Sequence, residues 1–206
     1  MFYRPGLDDH GLPRNPFNAL ITPRPIGWVA SVDENGVSNL APFSFFNGAA
    51  YEPPAVSVAF TGAKLGELAG ERKDTLANIK ASGEFTVNLV STALMDAMNA
   101  TAAHLPIGES EFKAAGVTEV AGQVVKAPIV AESPAAFECK LIEAVVLPND
   151  GTGTNTTVFG QVVGVHISDD ILKEGFVDPT IYQPLARMGY LDYTTVKDVF
   201  TLKRPE

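Results

Sequence analysis

Two basic residues precede a predicted helix in the segment Arg72-Lys73-Asp74-Thr75. The first turn of a helix has free backbone N–H groups and a partial positive charge, so a helix N-terminus attracts anions. Arg72 and Lys73 can add charge-assisted hydrogen bonds, and Thr75 can add a hydroxyl donor. The segment therefore suits a phosphate group. The alternative is a solvated pair of charges beside an ordinary helix cap at Asp74 or Thr75.

A second segment, from Asn39 to Asn47, combines three phenylalanines and a proline with one serine and two asparagines. A flat heteroaromatic ligand needs apolar contacts on its faces and a few hydrogen-bonding groups at its edge, and this composition offers both. The alternative is that the phenylalanines pack in the core. Trp28, the only tryptophan, lies on the predicted partner strand and either flanks such a ligand or fills the core.

The elements that must position these residues are mostly strands. An apolar run at residues 26–32 is followed by Asp33-Glu34-Asn35-Gly36, and Asn-Gly between apolar runs predicts a hairpin. We expect the second strand of that hairpin to run from Asn39 to Phe46. Because Pro42 has no N–H, its position must lie at a sheet edge or in a bulge.

Further strands are predicted along the rest of the chain, and they come in hairpin-like runs with few helices between them. Such runs predict a mainly β fold, an antiparallel barrel or sandwich of about six strands with added helices, and not a doubly wound parallel sheet. A shift in the apolar alternation at Leu141-Ile142 indicates a β-bulge. The remaining predicted elements are a strand at 55–60, a helix from Asp74 or Thr75 to Gly83, a strand at 85–90 half buried on one face, a helix capped by Ser91, paired strands at 137–141 and 157–167, and a short helix capped by Ser168.

The composition excludes several classes of protein. Of the 206 residues 46% are hydrophobic, which is enough apolar material to order the chain. The formal net charge of −9 disfavours binding to nucleic acid or to an anionic membrane surface. No apolar run reaches the roughly 18 residues of a membrane span. Residues 1–14 lack the apolar centre of a signal peptide, and Cys139 is the only cysteine, so we expect a cytoplasmic location.

Metal-binding motifs are absent from the sequence. His10, His104 and His166 have no metal-ligand spacing, and a single cysteine excludes a cysteine-based zinc site. The glycines at 151–156 lack the third member of a dinucleotide fingerprint and lie between predicted strands, so we interpret this segment as a loop.

Taken together, four segments resemble the flavin reductase-like family, whose fold is an FMN-binding split barrel. The resemblance extends in order over roughly residues 14–193, which predicts a single domain over residues 1–206 with a tail at 194–206. Shorter matches lie at 97–99, 111–112, 131–134 and 164–166. The four main segments are Arg24-Pro25-Ile26-Gly27-Trp28-Val29, residues 39–47, residues 72–79 and residues 84–88.

This resemblance implies a six-stranded antiparallel Greek-key barrel, a homodimer, and FMN near the subunit interface, with FAD also possible. Ser44 and nearby backbone groups would hydrogen-bond the polar edge of the flavin ring. Asp74 would act as a helix cap, since its carboxylate would repel a phosphate. The residues implied to line the ring are Trp28, Asn39, Ala41, Pro42, Ser44, Phe45 and Asn47, and those implied to hold the 5′-phosphate are Arg72, Lys73 and Thr75.

The same resemblance implies an oxidoreductase that transfers a hydride from NADH or NADPH to flavin N5, with no side chain required as acid or base. The reduced flavin would then serve a separate monooxygenase or another electron acceptor. For His166 we expect ordinary packing or a surface contact. Two alternatives are an FMN-holding electron carrier without NAD(P)H activity and an interaction domain that has lost its flavin, against which the retained basic pair argues. One departure is Tyr190, which stands where similar chains carry a glycine and adds bulk near the C-terminus.

Overall fold

A computed structural model describes residues 1–62, 74–103, 105, 110–148 and 154–205. The α-helices are α1 (Phe17–Leu20), α2 (Asp74–Ser82), α3 (Met95–Ala100), α4 (Glu111–Ala115) and α5 (Pro179–Tyr182), with 3-10 turns at Thr92–Leu94 and Asp169–Ile171. The strands are β1 (Arg24–Pro25), β2 (Gly27–Val32), β3 (Ser38–Phe43), β4 (Phe46–Tyr51), β5 (Pro54–Gly62), β6 (Glu84–Leu89), β7 (Glu119–Val120), β8 (Ile129–Val130), β9 (Ala135–Val146), β10 (Thr154–Ile167), β11 (Leu172–Lys173), β12 (Phe176–Val177), β13 (Leu185–Arg187) and β14 (Tyr193–Thr195). In this part of the chain no helix is long and apolar enough to cross a membrane.

The main sheet has seven strands in the order β3-β2-β6-β9-β10-β5-β4, and all neighbours are antiparallel. The predicted hairpin joins β2 to β3. The Asp33 carboxylate accepts hydrogen bonds from the backbone N–H groups of Asn35 and Val37, and Gly36 adopts the positive φ of 81° that the turn requires. A smaller sheet in the order β1-β13-β14 joins the start of the barrel to the C-terminal region.

A two-residue connection joins the two edge strands of the main sheet. β3 and β4 lie at opposite edges of the order, yet only Ser44 and Phe45 separate them in sequence. Seven flat strands would place the edge strands about 29 Å apart, whereas three Cα–Cα steps from Phe43 to Phe46 span at most about 11 Å. The sheet must therefore curl into a barrel. The rings of Phe43 on β3 and Phe60 on β5 meet across the join with centroids 4.6 Å apart. We call Ser44 and Phe45 the closure link.

Two hydrophobic clusters lie on the two faces of β2. The first fills the barrel, where α2 contributes Leu76 and Ile79. Gly27 admits the Phe46 ring into this space, since an added Cβ would lie 2.8 Å from its Cγ. The second cluster packs α3 and α4 outside the barrel around Trp28. The barrel cluster comprises Val29, Phe43, Phe46, Val56, Val58, Phe60, Leu76, Ile79, Phe85, Val87, Cys139 and Val158.

Several local predictions are confirmed. β3 is an edge strand, as the backbone of Pro42 requires. The bulge lies where the alternation shifts, because Phe159 pairs with Glu143 and Gly160 with Leu141, which leaves Ile142 unpaired. Helix α2 ends at Ser82, directly before Gly83 with its positive φ of 72°, as predicted. The Ser168 hydroxyl accepts a hydrogen bond from the backbone N–H of Asp170.

Three local expectations differ from the structure. The predicted strand 39–46 is two strands, so the main sheet has seven strands and not six. β6 is buried on both faces, because the polar side chains of Thr86 and Asn88 bond to a covering loop, through the carbonyl of Pro128 and the N–H of Val130. Ser91 makes no side-chain cap, since its backbone is engaged in a β-bridge to Pro184.

A buried carboxylate on β9 fixes the loop before β8. Glu138 is 0% exposed and accepts hydrogen bonds from the backbone N–H groups of Gln123, Val124 and Val125 at 2.6 to 2.9 Å. Nε2 of His166 lies 2.6 Å from the same carboxylate. Burial alone would raise the pKa of Glu138, but these four groups outweigh burial and hold the pKa at about 2.

We predict that Glu138→Gln lowers the free energy of unfolding at pH 7 by about 1.5–3 kcal/mol, because it removes hydrogen bonds to a charged acceptor. The depressed pKa stabilises the fold above the ordinary value of 4.5, and this contribution is lost as the pH falls from 4.5 toward 2. Urea denaturation at several pH values measures it. Glu143→Gln, at an exposed position of the same strand, is the control. Equal stability of Glu138→Gln and wild type at pH 7 would contradict this role.

Candidate functional site

The two segments singled out in the sequence meet at the start of β3. The side-chain amide of Asn39 donates a hydrogen bond to the Thr75 hydroxyl oxygen at 2.8 Å, and Thr75 is buried in the first turn of α2. This contact joins the strand to the beginning of the helix. Arg72 and Lys73, the predicted phosphate-binding pair, lie outside the described residues.

The free edge of β3 offers few backbone donors between Asn39 and the closure link. The N–H of Leu40 is bonded to the Glu111 carboxylate at 3.1 Å, and Pro42 has no N–H. Ala41 is half-buried and packs against the barrel cluster. Such an edge disfavours addition of another strand, and it leaves few backbone N–H groups in the middle of β3 for a ligand.

At the other end of β3 the closure link opens onto a cavity of about 330 Å³. Ser44, Phe45 and Asn47 line it, as does the buried ring of Phe46. The cavity thus combines aromatic surface with hydroxyl and amide groups, the combination expected from the sequence of this segment. The remaining lining residues are Ile21, Pro23, Arg24, Pro25, Ser57, Ala59 and Thr157.

Arg24 is the charged residue in this lining, and sequence reasoning did not select it. The residue is only 7% exposed, and its guanidinium lies 5.7 Å from the centre of the Phe45 ring. One terminal nitrogen donates to the backbone carbonyls of Asn18 and Ile21. Nε is buried and has no hydrogen-bond partner in the structure. Burial lowers the pKa of Arg24, and the nearby charge of Arg187 lowers it further.

Arg187 belongs to the C-terminal segment that departs from the family pattern. It pairs with Arg24 across β13 and β1, stacks on the Tyr193 ring at 4.4 Å, and donates to the carbonyl of Tyr190. Tyr190 has a positive φ of 54°, a left-handed conformation that a glycine adopts without strain. The tyrosine side chain is exposed, so its added bulk does not fill the core.

Trp28 fills the core, and we remove it from the set of candidate ligand contacts. Its side chain is 0% exposed within the cluster outside the barrel, and its indole N–H donates to the Thr101 hydroxyl at 2.8 Å. A ligand could reach this ring only if the core opened. His166 contacts Glu138 and lines neither cavity described here.

A second cavity, of about 410 Å³, adjoins the first and shares Pro25 and Phe46 with it. Its lining is almost entirely apolar and includes Phe137, Val165 and Tyr182.

Within the described ranges no group of three or more histidine, cysteine or acidic side chains is placed to hold a metal ion.

Comparison with known proteins identifies the family. The sequence profile of the flavin reductase like domain matches residues 19–189, so the chain belongs to the flavin reductase-like domain family. Nitrilotriacetate monooxygenase component B from Bacillus cereus is 32% identical over 98% of each chain, with a TM-score of 0.87. This finding confirms the family that the sequence motifs predict.

Two further solved structures support the same assignment. The 2-nitrobenzoate 2-nitroreductase NbaA of Pseudomonas fluorescens is 27% identical over 92% of this chain and 88% of that chain, with a TM-score of 0.77. A split-barrel protein of Shewanella frigidimarina, described as a flavin reductase, is 25% identical over 92% of this chain and 90% of that chain, with a TM-score of 0.79. The predicted mainly β split-barrel fold is confirmed.

Proposed function

We propose that the protein is an FMN-binding oxidoreductase whose flavin accepts a hydride from NADH or NADPH. The observation that carries this proposal is the arrangement along β3. Near the start of β3, Asn39 contacts Thr75 in the first turn of α2, and the far end of the strand opens through the closure link onto a cavity with aromatic and polar lining. A flavin mononucleotide has the same two ends, a phosphate and a flat heteroaromatic ring.

The residues of the cavity fit the flavin ring. Phe45 and Phe46 supply apolar surface, whereas Ser44 and Asn47 supply hydrogen-bonding groups for its polar edge. Arg24 lines the same cavity and would place a positive charge beside the ring. When bound, the flavin would supply the two-electron chemistry, and these side chains would hold and orient it. The same residues accommodate the ring of FAD, so FAD stays possible.

The phosphate end of the proposed site lies at the start of α2. Thr75 accepts a hydrogen bond from Asn39, and in the proposed site its hydroxyl hydrogen would donate to the bound anion. Arg72 and Lys73 directly precede the helix in sequence and would add charge-assisted hydrogen bonds. Helix α2 begins at Asp74, and the positive end of the helix dipole favours an anion there.

The similar proteins suggest two kinds of acceptor for the electrons of the reduced flavin. The similarity to a monooxygenase component favours delivery of reduced flavin to a separate monooxygenase, and the similarity to a nitroreductase favours direct reduction of another acceptor.

We also propose a homodimer, because the apolar side chains of three residues are largely exposed and a second subunit would cover them. Tyr51, Ile142 and Val165 expose 87%, 58% and 55% of their surface. The mass of the particle in solution measures the oligomeric state.

We predict that purified protein loaded with FMN is yellow and bleaches rapidly when NADH or NADPH is added without oxygen. The physical reason is transfer of a hydride to a ring held at the open cavity beside the closure link. Absorbance at the flavin band in a stopped-flow instrument measures the rate, with free FMN as the control. A yellow protein that neither nucleotide bleaches would contradict the proposed NAD(P)H dependence. That result would favour the alternative, an FMN-holding electron carrier without NAD(P)H activity.

We predict that the double substitution Arg72→Ala with Lys73→Ala weakens FMN binding at least tenfold. Loss of one charge-assisted contact costs about 1.5–3 kcal/mol, and about 1.4 kcal/mol corresponds to a factor of ten in affinity. Titration of FMN fluorescence measures the dissociation constant. Lys80→Ala, in the last turn of the same helix, is the matched control. Unchanged affinity in the double variant would refute the phosphate assignment.

A further inference from the structure

Two arginines stand opposite each other in the small sheet. Arg24 on β1 pairs in register with Arg187 on β13, and side chains at directly opposed positions lie on the same face. Like charges in that position destabilise a sheet. Neither arginine forms an ion pair with an acidic residue in the part of the chain that the structure describes. The fold therefore concentrates positive charge here at an energetic cost.

The burial of Arg24 increases that cost. Arg24 is only 7% exposed as a residue, so its charge is poorly hydrated, and its hydrogen bonds to two carbonyls satisfy only one of the guanidinium nitrogens. The Nε atom is left without a partner. Buried charges are normally compensated by an opposite charge or by a complete set of hydrogen bonds. An anionic group in the adjoining cavity would provide the missing compensation.

The position of Arg24 is well defined. The bonds to the carbonyls of Asn18 and Ile21 fix the guanidinium, and the Phe45 ring lies 5.7 Å from it. Arg24 and Ser44 line the same cavity, in which we have proposed that the flavin ring binds. A ring held there would have a fixed positive charge close to it.

We propose that Arg24, reinforced by Arg187, makes this site bind reduced flavin more tightly than oxidised flavin and so raises the reduction potential of the bound flavin. This inference rests on the proposed flavin site. Uptake of a hydride brings two electrons and one proton to a neutral ring, so at neutral pH the reduced ring carries one more negative charge than the oxidised ring. A fixed cation beside the ring attracts the charged form selectively.

The test compares four variants for two quantities, the dissociation constant of oxidised FMN and the midpoint potential of the bound flavin. The potential is measured by anaerobic dithionite titration with a reference dye. We expect Arg24→Gln to reduce the preference for reduced flavin about tenfold, which lowers the potential of the two-electron couple by about 30 mV. Arg24→Lys keeps the charge and retains most of the preference. Arg187→Gln shifts the potential in the same direction by less.

Lys140→Gln is the control, since it removes one positive charge at an exposed position of β9. An unchanged potential in Arg24→Gln, or a shift no larger than that of Lys140→Gln, overturns the inference. Equal weakening of oxidised and reduced flavin also overturns it, because Arg24 would then only support the local structure. If Arg24→Gln does not fold, the test rests on Arg187→Gln. An unchanged midpoint potential in Arg187→Gln then overturns the inference. Wild-type protein that binds no FMN refutes the proposed function itself.

Discussion

The two-residue closure link is the constraint on which the rest of the structure depends. Ser44 and Phe45 connect strands at opposite edges of a seven-stranded sheet, so the sheet must curl into a barrel that brings its two edges close together. Closure brings Phe43 and Phe46 into the interior and leaves the link itself half-buried at the join. A segment that cannot continue either strand is thereby available to line a cavity. The same two residues that close the barrel also provide part of the candidate site.

Charge is distributed unevenly around this site. The chain has a formal net charge of −9, yet the cavity is bordered by the buried guanidinium of Arg24 with Arg187 opposite it. In the proposed arrangement Arg72 and Lys73 add a second positive region at the start of α2. An acidic protein repels anions in general, so local cationic regions of this kind select where an anionic ligand binds. The proposed flavin would use one region for its phosphate and the other for the charge of its reduced ring.

The features that the sequence predicted well depend on neighbouring residues. The hairpin turn at Asp33 and Gly36, the edge position of Pro42 and the bulge at Ile142 each follow from local backbone chemistry. The interruption at the closure link could not be read in this way, because residues 39–46 have strand-like composition throughout. Only the return of the chain to the far edge of the sheet, a long-range property, separates β3 from β4.

The candidate site residues also divide into those that local sequence predicts and those that only the long-range fold reveals. The chemistry of Asn39 and Thr75 predicts that both contact a ligand, and the fold brings the two side chains into direct contact. The aromatic ring of Trp28 and its place on the partner strand suggest a ligand contact, but strand alternation turns it to the outer face, where Thr101 satisfies its N–H. Arg24 lies in a segment that matches the family, but no local feature of the sequence marks it as a ligand contact. Its significance comes from a register partner 163 residues later and from the absence of a carboxylate near it among the described residues.

The most direct test of this account is a crystal structure of the protein with FMN bound. The account predicts the flavin ring in the cavity of about 330 Å³, in contact with Ser44 and Phe45, with the phosphate beside Thr75 at the start of α2. A ring bound in the apolar cavity of about 410 Å³, or a phosphate remote from α2, would contradict it.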